Sequence, residues 1–102
     1  MDMFNLMKQA QQLQKNLKAV QDDLANREVT GTAGAGMVSA TFNGQIELVS
    51  LHIDPELASP DKAQMLNDLL RAAINDGLHK ATDMARSEMG KLTGGINIPG
   101  LF

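Results

Sequence analysis

The sequence has no cysteine, no tryptophan and no tyrosine, and only three prolines in 102 residues. Without cysteine there is no disulfide and no thiolate metal site, and a reducing compartment is compatible with that. The aromatic content is three phenylalanines: Phe4, Phe42 and Phe102. Seven methionines and many leucines must fill the interior instead, which makes for an adaptable core. No apolar run approaches the roughly 20 residues of a membrane span. The opening stretch MDMFNLMKQAQQ has an acid at position 2 and turns polar by position 8, unlike a secretory signal. The simplest reading is a cytoplasmic protein. The two histidines, His52 and His79, are far apart in the chain.

Neither charge sign dominates; the net charge is −3. It is unevenly spread. Lys8, Lys15, Lys18 and Arg27 outweigh Asp2, Asp22 and Asp23 in the first quarter. Residues 28–69 hold Lys62 against Glu28, Glu47, Asp54, Glu56, Asp61 and Asp68. The last third is again mildly basic. The centre is acidic and the flanks basic, without the strong excess of a highly basic nucleic-acid binder.

Periodicity organises the chain into an α+β domain. Residues 2–26 read as one helix with Met3, Leu6, Ala10, Leu13, Leu17, Val20 and Leu24 at alternating intervals of three and four. That narrow seam suits one partner helix rather than a broad core face. The partner is either the later helix of the same chain or a second subunit. Strands follow at 29–33, 37–42 and 45–53, forming a three-stranded antiparallel meander. Asn43-Gly44 predicts a type I′ hairpin turn with positive φ at both positions. Val38, Ala40 and Phe42 share one phase. On the third strand the apolar phase slips between Leu48 and Val49, which predicts a bulge or burial on both faces. Ser59 and Pro60 read as N-cap and first residue of a long C-terminal helix. The small residues Gly77, Ala81 and Ala85 would let that helix approach the first one closely. Gly94-Gly95 ends it. Residues 1–95 form a single domain, and the apolar stretch 96–102 reads as a loose tail.

The chain offers little for chemistry. Turn requirements account for Gly31, Gly34 and Gly36, because the run leads into a strand and not a helix, unlike a phosphate-binding loop. Ser59-x-x-Lys62 lacks the companion elements of the acyl-serine enzymes. His52 and Asp54 have no third metal ligand nearby. Asp76 and His79 read as a helix-surface pair. The expectation is a protein with no catalytic residues, no metal and no cofactor. It should have no small-molecule substrate and no membrane association. Lys8, Lys15 and Lys18 lie on the first helix opposite its seam, with Arg86 and Lys91 near the end of the last. If the helices pair antiparallel, these cations converge, and a dimer doubles them. They would suffice for phosphate contacts. From the residues alone, ordinary solubilising cations remain the alternative.

Four pieces are more specific: N-L-M-K-Q-A-Q (5–11), V-T-G-x-x-G-A-G (29–36), N-G (43–44) and I-D-P (53–55). Together with the GGINIPGLF ending, in the same order over essentially the whole chain, they resemble the YbaB/EbfC family of bacterial nucleoid-associated proteins. The resemblance implies two helices flanking a small antiparallel sheet. It implies a homodimer whose helices project as arms, binding double-stranded DNA with limited sequence selectivity in the cytoplasmic nucleoid. It assigns no DNA-contacting residues. Lys8, Lys15, Lys18, Arg86 and Lys91 are candidates by charge. Leu6, Leu13, Leu17, Val20 and Leu24 are candidates for the dimer or helix seam. The competing reading is a dimeric protein-interaction adaptor that uses the apolar tail or Met-rich arms and binds no nucleic acid.

Overall fold

The computed structural model describes residues 2–92. The predicted helix stop at Gly94-Gly95 and the tail 96–102 lie outside the described residues. The order is helix α1 (Met3–Ala25), strands β1 (Glu28–Ala33), β2 (Val38–Asn43) and β3 (Leu48–Ile53), two short 3-10 turns, and helix α2 (Ala63–Leu92). The sheet is antiparallel with strand order β1-β2-β3. The predicted α+β architecture is therefore the one observed.

Asp2 starts α1. Its backbone is extended and its carboxylate accepts from the Asn5 amide at 2.8 Å. The helix ends at Asn26, and the chain turns directly into β1. On β2 the predicted phase holds: Val38, Ala40 and Phe42 are buried. Across them lies a stripe of small residues on α2, with Ala73, Gly77 and Ala81 all buried. Leu57, from the first 3-10 turn, closes the other end of the core beside Val38 and Ala73.

The close approach on α2 is to strands, not to α1. A Cβ added at Gly31 would sit 2.1 Å from the Gly77 nitrogen and 2.4 Å from the Ala73 oxygen. One at Gly77 would sit 2.8 Å from the Phe42 ring and 2.9 Å from the Ala40 oxygen. Gly31 thus lies mid-strand and serves packing; of these three, Gly34 and Gly36 are the turn glycines, at φ +62° and +91°. Ala35 between them is left-handed at φ 55°.

The bulge is present. Thr41 faces Ser50 while Phe42 faces Leu48, leaving Val49 as the extra residue. Cross-strand partners share a face, so the bulge puts Leu48, Leu51 and Ile53 on the face of Phe42, Ala40 and Val38. Burial of β3 on both faces does not occur. Because α2 lies over β1 and β2, Leu48 and Leu51 remain exposed beside it, as does Val49.

The β2–β3 turn is not type I′. Neither Asn43 nor Gly44 has positive φ; Ile46 does, at 62°. The Ile46 amide donates to the Asn43 carbonyl at 3.1 Å, and the Asn43 amide donates to the Glu47 carbonyl at 3.0 Å. This is the three-residue loop in which a left-handed residue follows a turn. The Asn43 side chain favours it by accepting from the Gln45 and Glu47 amides. Gly44 is required for proximity: a Cβ there would meet the Leu24 oxygen at 2.6 Å. Its amide donates to the carbonyls of Leu24 (2.8 Å) and Arg27 (3.0 Å), fixing the end of α1 to the hairpin.

Ser59 does precede the helical segment, but its hydroxyl donates to Asp61 at 2.6 Å instead of capping. A 3-10 turn, Pro60–Lys62, intervenes before α2. From there α2 stays packed on the sheet and then, through Ala85 and Met89, faces the end of α1. Of the two helices predicted to project, α1 is the one that stands clear. Every residue from 2 to 16 is exposed, and the molecule extends 69 × 21 × 17 Å.

Two substitutions test this packing by urea unfolding. Gly31→Ala drives a methyl group into the α2 backbone at Ala73 and Gly77 and is expected to cost about 3 kcal/mol or more. Ala35→Gly relieves a left-handed alanine in an exposed turn and should stabilise by up to about 1 kcal/mol.

Candidate nucleic-acid interface

The exposed part of α1 has two opposite faces. Its seam is uncovered over most of its length: Met3 is 78% exposed, Leu6 52% and Leu13 45%. Leu17 and Val20 are half-buried, and only Leu24 is buried within the chain. At about 100° per residue, Lys8, Lys15 and Lys18 fall within about 80° of one another and centre opposite that seam. Their ammonium groups make no ion pair among the described residues. The Lys8 ammonium lies 5.6 Å from the centroid of the exposed Phe4 ring.

The other candidates are elsewhere. The C-terminal ends of α1 and α2 meet, so the start of α1 does not approach the end of α2. Arg27, just beyond α1, pairs with Glu88 on α2 at 2.7 Å and reaches Asp23 at 3.8 Å. Lys91 pairs with the same Glu88 at 3.1 Å. Lys91 is therefore partly neutralised, whereas Arg86 is exposed and makes no ion pair among the described residues. Lys8 lies about 24 Å along α1 from Leu24, at the far end from this group. Lys8, Lys15 and Lys18 share one face of α1, and Lys91 lies beyond the other end of that helix, linked to it through Glu88 and Arg27.

Asp76 has a different role from the predicted pairing with His79. Its carboxylate accepts from the Thr32 amide at 3.0 Å and pairs with Lys80 at 3.2 Å. Lys80 also donates to the Thr30 carbonyl at 3.0 Å. This ties the edge of β1 to α2. The Thr32 hydrogen bond, followed by Lys80, lowers the Asp76 pKa, and the charge of His79 adds to this. Glu88 is likewise lowered, first by its Arg27 hydrogen bond and then by Lys91.

Where α1, α2 and the β2–β3 loop meet there is a cleft of about 460 Å³, lined by Gln21, Leu24, Gly44, Gln45, Ile46, Ala85 and Met89. It holds no titratable side chain. His52 is exposed on β3, and Asp54 accepts from the Glu56 amide at 2.9 Å within its own turn. Among the described residues no three His, Asp or Glu side chains come together to hold a metal, and no helix is long and apolar enough to cross a membrane.

A projecting helix with one cationic face, fixed to a small sheet, can be compared with known proteins. The model of the YbaB/EbfC DNA-binding family matches residues 1–96. The chain belongs to the YbaB/EbfC family. Nucleoid-associated protein TTE0040 of Caldanaerobacter subterraneus is 51% identical over 98 residues, which is 96% of this chain and 88% of that protein. Nucleoid-associated protein DP1429 of Desulfotalea psychrophila is 48% identical over 101 residues, 99% of this chain and 95% of that protein. Among solved structures, the uncharacterized protein HP0035 of Helicobacter pylori superposes with a TM-score of 0.85 at 28% identity, covering 92% of this chain and 99% of that one. The YbaB/EbfC family is one of DNA-binding proteins and not of enzymes.

Sequence reasoning found the lysine stripe through its helical spacing. It missed the Arg27–Glu88–Lys91 group, which joins two helices 61 residues apart in the chain. The signal available was Glu88 three residues before Lys91.

The acid limb of stability follows from the two lowered carboxylates. Both have folded pKa values below their unfolded ones, so their contribution is complete above the ordinary carboxylate range. It is lost as pH falls below about 4. Urea midpoints measured across that range should fall less steeply for Asp76→Asn/Glu88→Gln than for the parent chain.

Proposed function

We propose that this protein is a non-enzymatic, nucleoid-localised DNA-binding homodimer whose α1 arms grip the duplex through phosphates. The observation that carries this reading is the two-faced α1. An uncovered leucine seam lies opposite a stripe of three lysines that make no ion pair among the described residues. Membership of a DNA-binding family and the naming of relatives as nucleoid-associated proteins support the choice of ligand.

A second copy covers the seam at Leu6, Leu13, Leu17 and Val20, together with the apolar strip of Leu48 and Leu51 that α2 leaves open. Leu24 keeps its place inside its own chain. Two arms then present six stripe lysines, with Arg86 and Lys91 flanking each base. Lysine contacts to phosphate position a protein without reading bases, so sequence selectivity is limited. Binding is weak at physiological salt, and the acidic sheet faces away from the duplex.

The test is a titration of double-stranded DNA over a salt series, on protein whose mass in solution is measured by sedimentation. Six phosphate contacts give a log–log salt slope of roughly −5. The triple variant Lys8→Glu, Lys15→Glu, Lys18→Glu should lose the gel shift while remaining dimeric. Unchanged binding by that variant would take the arms out of the mechanism. Leu6→Asp/Leu13→Asp should yield monomers and weaken binding steeply. A monomeric parent chain would remove the second copy.

A further inference from the structure

The three phenylalanines have separate positions. Phe42 is buried against Gly77, and Phe102 lies outside the described residues. Phe4 is 68% exposed near the tip of α1, and its ring interacts with the Lys8 ammonium at 5.6 Å. Its angular position matters more than its exposure. At about 100° per residue, Phe4 lies within about 40° of each of Lys8, Lys15 and Lys18, at the centre of the cationic stripe. It is about 160° from the centre of the leucine seam. A second copy seated on the seam therefore leaves the ring outward with the lysines. Asp22 is the one acid on this face, and it lies at the opposite end of the helix from Phe4.

A fully paired duplex offers such a ring only phosphates, sugars and base edges. An unpaired base offers a π-face. A cationic track along the backbone combined with an aromatic platform is the arrangement that holds single strands. The track runs about 21 Å from Phe4 to Lys18. With Lys8 over the ring, Phe4 is still 68% exposed, which leaves surface for a base.

We propose that Phe4 stacks on an unpaired base, so that the α1 arm prefers DNA carrying exposed bases, such as a single-stranded gap, over intact duplex. This rests on the phosphate grip proposed above and adds a preference to it.

The absence of tryptophan and tyrosine supplies the test. In full-length Phe4→Trp the new indole is the sole strong fluorophore. Saturation with a gapped duplex should quench its emission; saturation with an intact duplex of equal length should not. Stacking contributes a factor of about 5 to 150 in affinity per base, so Phe4→Ala should weaken gapped-duplex binding by at least about fivefold. Intact-duplex binding should stay within about twofold of the parent. Phe4→Leu should behave like Phe4→Ala, because leucine is apolar but cannot stack. Equal losses on both DNAs, no loss on either, rescue by leucine, or unquenched emission on bound gapped DNA would each overturn the inference. The grip would still stand if the triple lysine variant lost binding. If the parent chain binds neither DNA, the grip fails and the inference with it.

Discussion

The backbone contact between β1 and α2 is the constraint on which the remaining geometry depends. Gly31 lies so close to the α2 backbone at Gly77 and Ala73 that it has no room for a Cβ, and Gly77 has none against Phe42 and Ala40 of β2. A glycine inside a helix costs about 1 kcal/mol relative to alanine. Here that cost is offset by packing, because the missing side chain admits the Phe42 ring and the Ala40 carbonyl. With α2 seated at this depth over β1 and β2, its later turns arrive beside the β2–β3 hairpin. There Gly44 holds the carbonyls of Leu24 and Arg27, and Glu88 meets Arg27. Both helix C-termini, with their partial negative charge, are thus gathered around cations. Once the end of α1 is pinned there, the rest of α1 has nowhere to lie on its own chain.

What could be read from the sequence was whatever a local period encodes. The extent of α1, the meander, the buried phase of β2 and the bulge at Val49 all follow from spacing. Contacts between elements do not. Gly31 looks like the turn glycines nearby because its reason for being glycine sits on α2. Asn43-Gly44 carries the strongest hairpin pairing, yet the left-handed position falls on Ile46. The side chain of Asn43 and the proximity of Leu24 decide the loop. Asp76 reads as a partner of His79 until the free amide of Thr32 at the sheet edge is brought to it. The candidate site divides the same way. Lys8, Lys15 and Lys18 are legible as a stripe. The partial neutralisation of Lys91 and the exposure of the Phe4 ring needed the fold.

The apolar pattern of β3 shows how an irregularity can serve assembly. Without the bulge, Leu48 and Leu51 would point to opposite faces. With Val49 extra, both join the face that carries the core. That face continues past the reach of α2, so the core is left open along one side. The uncovered strip and the uncovered seam of α1 are two apolar surfaces on one small chain. Isolated exposed apolar residues need no explanation, but contiguous ones mark interaction surfaces.

A net charge of −3 does not oppose the arm mechanism, because the charge that matters is local. The Debye length is about 8 Å at physiological ionic strength. Lys8 stands about 24 Å along the helix from Leu24, several screening lengths from the acids of the sheet. Lys15 is about 13 Å away and Lys18 about 9 Å. The field of the acidic hub therefore fades toward the tip, and Lys8, farthest out, feels it least. Near the base Glu88 is matched by Arg27 and Lys91, and Asp76 at the edge of the sheet is matched by Lys80. A chain that is acidic as a whole can present a cationic arm to a polyanion, provided the arm is long and its cations stand clear of the acids of the sheet. The projecting, unpacked state of α1 meets both conditions, and a shorter helix folded back on the sheet would meet neither.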